Sequence, residues 1–216
     1  MRTPNAPVAM FIADSIALDF LNSTSSQMDP PVEWLGDGEA LLSWLRKAEL
    51  VPMGVLDEIR ANTDRRELDS VAGRARELRE WFRTFVIRHM GRSLSNAVVA
   101  ELAPINSILE SDEAFGQIVI RSDSDASAAP TQLAWASNRR WRSPDALLIP
   151  VAEAIARLVT KEDFADIKAC QGHKCSMMFV DQTRGRARRW CSMAICGNRA
   201  KQAAHRERVN GASHAR

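Results

Sequence analysis

The fold of the C-terminal part of the chain is decided by two stretches, Cys170-Gln-Gly-His-Lys-Cys175 and Trp190-Cys191-Ser-Met-Ala-Ile-Cys196-Gly-Asn-Arg199. They hold all four cysteines of the 216-residue protein, and each pair has the form Cys-x4-Cys. Fifteen residues separate the two pairs. Two cysteine knuckles with a gap of this size are typical of a tetrahedral four-cysteine zinc site. Disulfides and free thiols are the alternatives.

We predict one structural zinc ion, bound by Cys170, Cys175, Cys191 and Cys196. An iron or iron–sulfur site stays open as an alternative, because a set of thiolates does not encode its metal uniquely. His173 lies inside the first knuckle and could replace one cysteine. Four cysteines already complete a closed tetrahedral site with no open position for a substrate, so the zinc is not predicted to be catalytic.

Charge is distributed very unevenly along the chain. From residue 168 to the end there are 11 Lys+Arg against 2 Asp+Glu, whereas the preceding 167 residues hold 18 basic and 25 acidic residues. A basic segment on an acidic body indicates an arm that contacts nucleic acid or another anionic surface. Phosphate contacts release counterions, and arginine can read guanine edges. The candidate nucleic-acid contacts are Arg184, Arg186, Arg188, Arg189, Arg199, Lys201, Arg206 and Arg208.

The composition is 45% hydrophobic and 26% charged, which is ordinary for a folded soluble protein. No stretch approaches the ~18 consecutive apolar residues of a membrane span, so no membrane partner is expected. Residues 8–21 are locally apolar, but Asp14 and Asp19 interrupt them, which makes a poor signal peptide. Without an export signal, the cysteines are expected to be thiolate ligands rather than disulfides. We therefore predict a cytoplasmic protein.

Apolar residues at steps of three and four predict helices in the N-terminal part. The predicted ranges are 37–50, 52–61, 66–90, 95–110 and 144–159, together with a short buried element that ends at Asn22. Pro104 is expected to kink or split the fourth of these helices. Residues 115–121 and 131–136 alternate as two strands of a hairpin-like insert. We interpret 1–166 as a mostly helical domain with a small β insert.

Residues 167–216 are predicted to form a separate small domain with the arrangement of a treble clef. Strands at 167–170 and 176–181, a turn at 183–186 and a returning strand at 187–190 are followed by a helix from Cys196 to about residue 208. Below ~40 residues a segment rarely folds by core burial alone. Metal binding is therefore expected to supply most of its folding free energy, and loss of zinc to unfold it. The predicted fold class is mainly α (α+β).

The C-terminal pattern resembles the CGNR zinc finger family, named after Cys196-Gly197-Asn198-Arg199. The shared pattern is Cys170-x4-Cys175, Phe179-x-Asp181 and Arg188-Arg189-Trp190-Cys191-Ser-Met-x-x-Cys196-Gly-Asn-Arg199. Members usually join this finger to an N-terminal ABATE domain, described as a stress-induced transcription regulator. Leu18-Asp-Phe-Leu-Asn22, Trp44-Leu45 and Leu78-Arg-Glu80 resemble that domain. The family commonly has Asn-Thr where this chain has Asn22-Ser23. The resemblance implies DNA binding by the finger and a role in transcription.

Three classes of function follow from these patterns. The leading one is a zinc-dependent DNA-binding regulator, in which the N-terminal domain senses a small-molecule effector or forms a homodimer that supplies a second half-site. An RNA- or ribosome-associated zinc protein is the second class. An enzyme housed in the N-terminal domain is the third and is not expected, because the common catalytic and nucleotide-binding motifs are missing. Asp19 and Asn22 are the candidate polar contacts to a ligand there.

Overall fold

The helices of the N-terminal part pack around a short central helix, and a small strand pair carries the cysteines. A computed structural model describes residues 9–25, 31–120 and 133–213. Its α-helices are α1 (Ile16–Leu21), α2 (Gly38–Lys47), α3 (Met53–Asn62), α4 (Arg65–His89), α5 (Ala103–Glu110), α6 (Ile149–Lys161) and α7 (Asn198–Ser213). Its strands are β1 (Thr24–Ser25), β2 (Val32–Glu33), β3 (Ala114–Ile120), β4 (Leu133–Arg139), β5 (Ile167–Ala169) and β6 (Met178–Val180). Shorter 3-10 helices cover Asn96–Leu102, Pro144–Leu148 and Phe164–Asp166, and a π-helical turn covers Met193–Gly197.

Helix α1 is the centre of the core, although it has only six residues. Leu18, Phe20 and Leu21 are completely buried, and α1 contacts α4, α6 and β6. So short a helix gains little from its own hydrogen bonds, and its stability comes from burying nearly its whole surface. The predicted buried element ending at Asn22 is confirmed, because Asn22 is the C-cap of α1.

Helix α2 begins where the sequence predicts it and packs closely on α4. Asp37 caps it, since its carboxylate accepts a hydrogen bond from the Ala40 amide at 2.8 Å. Gly38 follows the cap and lies against α4, where a Cβ atom on Gly38 would stand 2.4 Å from the Leu68 Cβ. The absence of a side chain at Gly38 is therefore what lets the two helices approach.

The long helix predicted over 66–90 is confirmed as α4, and one of its arginines is buried. Arg79 is only 4% exposed, and its guanidinium makes two 2.7 Å bonds to the Glu33 carboxylate. Burial lowers the pKa of Arg79, but the bonds to Glu33 and Glu80 outweigh it and raise that pKa overall. Arg79 thus links β2 to α4.

Prolines divide two of the predicted helices. The helix predicted over 95–110 is a 3-10 helix up to Leu102 and an α-helix from Ala103, and Pro104 lies in the first turn of that α-helix. The helix predicted from residue 144 likewise starts as a 3-10 helix at Pro144 and becomes α6 at Ile149, with Pro150 in its first turn. Proline suits a first helical turn, because its missing N–H has no intrahelical partner there.

The predicted hairpin insert is confirmed within the described residues as the antiparallel pair β3–β4, whereas residues 121, 131 and 132 of the predicted strands lie outside the described ranges. Its register places Ile118 opposite Trp135 and Ile120 opposite Leu133. At its base, the Arg139 guanidinium contacts both Asp112 carboxylate oxygens, at 2.5 and 2.8 Å, and Glu153 of α6 at 2.8 Å. This ion-pair cluster fixes the hairpin to α6.

The strand pair β5–β6 joins the cysteine region to the helical core. All three residues of β6 are buried, and Phe179 and Val180 have no exposed surface. The Val180 amide donates to the Ala13 carbonyl at 3.0 Å, ahead of α1. Buried residues of the cysteine region therefore belong to the same hydrophobic cluster as the helices. The mainly α fold class with small two-stranded sheets is confirmed.

Candidate metal centre and basic surface

Four cysteine thiols converge at the end of the β5–β6 pair. Cys170 follows β5, Cys175 precedes β6, and Cys191 and Cys196 come from the loop and the π-helical turn before α7. Their four Sγ atoms all lie within 4.8 Å of one another, and two separations are 3.8 Å (Cys175 to Cys191) and 3.6 Å (Cys191 to Cys196). Four sulfurs bonded tetrahedrally to zinc at ~2.3 Å would stand about 3.8 Å apart. The spacing therefore fits a tetrahedral metal site.

Backbone amides surround these sulfurs as expected for thiolate ligands. The Cys170 Sγ accepts hydrogen bonds from the Cys191 amide at 3.2 Å and the Gly172 amide at 3.4 Å. A Cβ atom on Gly172 would stand 2.9 Å from the Cys196 Sγ, so the first knuckle needs glycine at this point. His173, which the sequence offered as a replacement ligand, is exposed and is not one of the clustered groups.

The proton affinities of the thiols show why the cluster favours a cation. A hydrogen bond from Cys191 lowers the pKa of Cys175 to about 5, so one thiolate forms readily. Burial then raises the pKa of Cys196 to about 12, and the Cys175 thiolate together with burial raises the pKa of Cys191 even further. Four negative sulfurs cannot coexist at this distance by themselves. A divalent metal ion supplies positive charge at the centre of the cluster, which favours the deprotonated form of all four thiols.

Asp181 organises the loop that leads from β6 to Cys191. Its carboxylate is completely buried and accepts bonds from the Lys168 ammonium at 2.7 Å, the Thr183 amide at 3.1 Å and the Arg188 amide at 2.9 Å. Burial opposes its ionisation, yet these donors hold its pKa well below the usual range. The prediction of a returning strand over 187–190 is wrong, because the Arg188 amide donates to the Asp181 carboxylate and not to a carbonyl oxygen of a neighbouring strand. β6 pairs with β5 instead.

Arg188 joins the metal centre to the N-terminal part of the chain. Its guanidinium donates to the carbonyl oxygens of Trp190 and Cys191, at 3.0 and 2.5 Å, and of Ile12, at 2.9 Å. It also pairs with Asp14 and lies over the Phe179 ring at 4.2 Å. Arg188 is one of the nucleic-acid contacts predicted from the sequence, but the N–H groups of its guanidinium are bonded within the chain.

The other predicted basic contacts face solvent to different degrees. Arg186 pairs with Asp166 at 3.0 Å, and Arg189 donates to the Gln171 side chain at 2.7 Å while covering the Trp190 ring. A second group is exposed and makes no ion pair with any described residue: Arg184, Arg199, Lys201, Arg206 and Arg208. We call these five residues the basic surface. A groove of about 520 Å³, lined in part by Trp190 and the half-exposed Met193, lies on the same loop as Arg184.

Comparison with family models matches two consecutive parts of the chain. Residues 14–162 match the model called ABATE, described as "putative stress-induced transcription regulator". The chain belongs to the ABATE family. In this ABATE protein, residues 167–209 also match the CGNR zinc finger, so the cysteine cluster lies in a zinc-finger region. A comparison with curated proteins gives no match. Among the helices in the described ranges, none has the length and apolar character needed to cross a bilayer.

The two residues proposed from sequence as ligand contacts of the ABATE region are both engaged in internal bonds. The Asp19 carboxylate accepts from the Ile12 and Ala13 amides, at 2.9 and 3.0 Å, and burial raises its pKa to about 6. The Asn22 side chain exchanges two hydrogen bonds with the backbone of Met178, at 2.8 and 3.0 Å. Asn22 therefore attaches the ABATE region to β6, a role that no local sequence signal indicates.

Proposed function

We propose that this ABATE protein is a zinc-dependent transcription regulator of the cytoplasm that binds DNA through its CGNR finger. The observation that supports this most strongly is the basic surface. Arg184 lies on the loop that leads to Cys191 and the other four cations lie on α7, which follows Cys196, and none of the five makes an ion pair with an acidic group of the described chain. Exposed cations without acidic partners are what phosphate binding requires.

In this proposal, Cys170, Cys175, Cys191 and Cys196 hold one structural zinc ion. The fit between the sulfur separations and tetrahedral geometry supports it, as does the zinc-finger match. A closed site of this kind holds the loop and the start of α7 together, so the ion positions Arg184 relative to Arg199. The metal content of purified protein is expected to be one zinc per chain, and to be lost in Cys191→Ser.

The DNA-contacting set proposed here differs from the sequence prediction in its membership. Arg188 leaves the set because its guanidinium is bonded within the chain. Arg186 and Arg189 stay at its edge, since each is exposed but has an internal partner. The basic surface itself, on the loop and on α7, carries the phosphate contacts. Helix α7 is exposed along its described side chains and is the element that can enter a groove.

The test is the salt dependence of duplex binding, measured by fluorescence anisotropy on zinc-loaded protein. A triple variant, Arg184→Ala with Arg199→Ala and Lys201→Ala, is expected to lower the slope of log K against log salt by roughly 0.9 for each phosphate contact removed. The matched control is Arg46→Ala with Arg60→Ala and Arg65→Ala. These arginines are exposed but paired with acids, so the control changes the net charge equally.

Two results would contradict the proposal in different ways. Equal losses in the two triple variants would mean that binding follows overall charge and not the basic surface. Tighter binding to single-stranded RNA than to duplex DNA would favour an RNA-associated zinc protein instead. Within the finger region, the exposed aromatic surface that single-stranded recognition uses is small, because Phe179 is buried and Trp190 is half-buried.

We also propose that a small-molecule effector binds in the cleft between α1, α6 and the segment that follows α2. This cleft has a volume of about 580 Å³, and its lining includes Asp14, Glu49 and Arg157. Asp14 pairs with Arg188, the arginine that joins the metal centre to the N-terminal part of the chain. A ligand in this cleft would therefore contact the acidic partner of that arginine. Equilibrium dialysis of the whole protein against a metabolite mixture should deplete one compound, and Ala154→Phe, which fills the cleft, should abolish the depletion. Unchanged depletion would place the site elsewhere.

A further inference from the structure

The hairpin β3–β4 presents an apolar face to solvent. Its register puts Ile118, Ile120, Leu133 and Trp135 on one side of the two-stranded ribbon, where they are 66–75% exposed. Gly116 and Ser137 continue this face toward its base, where Ala114 and Arg139 end it within the described strands. Arg139 is paired with Asp112 and Glu153, so the large apolar side chains have no unpaired charge beside them on this face. We call the four large side chains the hairpin face. Single exposed apolar residues are common on proteins, but a contiguous group of this size marks an interaction site.

Trp135 packs its ring against the neighbouring strand on this face. Its ring lies flat over Gly116, where a Cβ atom would stand 1.9 Å from the Trp135 Cζ2. This contact with the neighbouring strand favours the observed placement of the ring over placements in open solvent. A pre-positioned aromatic side chain loses little conformational entropy when a partner covers it, which is a property of interface hot spots.

The ribbon is also held rigidly by the body of the protein. Arg139, 13% exposed at its side chain, ties the end of β4 to Asp112 and to Glu153 of α6. Arg140 lies over the Phe115 ring at 4.5 Å, and its amide donates to the Glu113 carbonyl. The hairpin face therefore has a defined orientation relative to the ABATE helices. A projecting arm with a fixed base and an apolar face is suited to docking.

We propose that the hairpin face is the dimer interface and that its occupant is the same face of a second copy of this chain. Two such ribbons would pack face to face, as paired sheets do at ~10 Å. The four side chains expose roughly 600 Å² per copy, so a symmetric pair would bury about 1,200 Å², the lower limit of specific interfaces. The one charged residue of this face within the described strands, Arg139, is paired with acids, so the face can pack against its own copy without charge repulsion.

A dimer formed here would carry two CGNR fingers, and this consequence rests on the proposed DNA binding. One finger offers a small contact area, whereas two fingers on a two-fold axis read two half-sites. The hairpin β3–β4 and the finger would then have separate tasks. The hairpin joins two copies, and the finger contacts DNA.

The test is sedimentation velocity of the zinc-loaded full chain over a concentration series. Wild type is expected to shift from monomer to dimer, and Trp135→Glu to weaken dimerisation by roughly 30-fold or more, the effect of losing a central aromatic. The matched control is Met53→Glu in α3, which replaces a side chain with similar exposure, 63%. Thermal melts and zinc content verify that each variant is folded.

A wild-type protein that stays monomeric at 100-fold above the concentrations used for DNA binding would overturn the proposal. A dimer that Trp135→Glu leaves intact would overturn it equally, because another surface would then hold the copies together. The DNA function is separable in the same experiment. If Trp135→Glu is monomeric but neither form binds duplex DNA, the dimer stands and the proposed function fails. If it binds one half-site normally and paired half-sites weakly, both stand.

Discussion

Replacing Arg188 by methionine is expected to destabilise the protein while leaving the exposed basic surface intact. The methionine keeps a linear apolar stem over the Phe179 ring but removes every guanidinium donor. Three carbonyl acceptors, on Ile12, Trp190 and Cys191, then lose a charged partner in a region that is largely shielded from water. The connection between the CGNR finger and the segment before α1 is weakened at the same time.

The expected magnitude follows from these contacts. Hydrogen bonds to a charged group contribute roughly 1.5–3 kcal/mol each, and losses within one cluster are not additive. The Asp14 pair adds little, because that carboxylate is 46% exposed. We therefore expect a loss of about 3 kcal/mol. For a chain of this length, that lowers the melting temperature by about 10 °C.

The assay is thermal unfolding followed by circular dichroism, with DNA affinity measured well below the transition. Arg184→Met is the matched control, because Arg184 is exposed and has no ion pair to a described residue. The control should lose DNA affinity and keep its stability within about 0.5 kcal/mol. The interpretation is refuted if Arg188→Met melts like wild type and loses more DNA affinity than Arg184→Met.

Three further predictions concern Asp19, Gly38 and the metal. Because burial raises the pKa of Asp19 from 3.8 to about 6, the folded state holds that proton more tightly and stability falls as pH rises between those values. Asp19→Asn should remove this dependence. In urea titrations, the difference in free energy of unfolding between variant and wild type should move by about 2 kcal/mol in favour of the variant from pH 4 to pH 7.5. Parallel plots of unfolding free energy against pH for the two proteins would contradict this prediction. Gly38→Ala should cost about 1–3 kcal/mol in the same assay, since its Cβ would meet the Leu68 backbone, whereas Gly54→Ala, with open space around it, should be neutral or stabilising. Equal effects of the two alanines would refute the close packing. Zinc removal should raise amide exchange in α7 and leave α4 protected, since β6 stays packed in the shared core; exchange in both helices together would show one cooperative unit.

Much of the helical fold could be predicted because its signals are local. Asp37 precedes an apolar period of three and four, and Pro104 marks the point where a 3-10 helix gives way to α5. The cysteine cluster was predictable for the same reason, since the two knuckles carry their own spacing. The thiols converge as this spacing implies.

The errors of the sequence interpretation come from side-chain contacts that the sequence pattern does not signal, some of them between distant residues. The Asn22 side chain bonds to Met178, 156 residues away, and nothing near either residue signals the pairing. The sequence interpretation included Asp181 only as part of a family motif. Its carboxylate accepts hydrogen bonds from the Thr183 and Arg188 amides, and residues 187–190 form a loop where a strand was predicted. Arg188 carries the same formal charge as Arg184, and only the structure separates the arginine that is bonded internally from the one that is exposed.

Genome-wide mapping of bound DNA in cells tests the central claim most directly. The wild-type chain and its Cys191→Ser variant would be mapped in parallel, with expression of the two matched. We predict discrete sites near promoters for wild type and their loss in Cys191→Ser, because the metal positions the basic surface. Sites that persist without the metal ligand would contradict the account, and so would a wild-type profile with no enrichment over background.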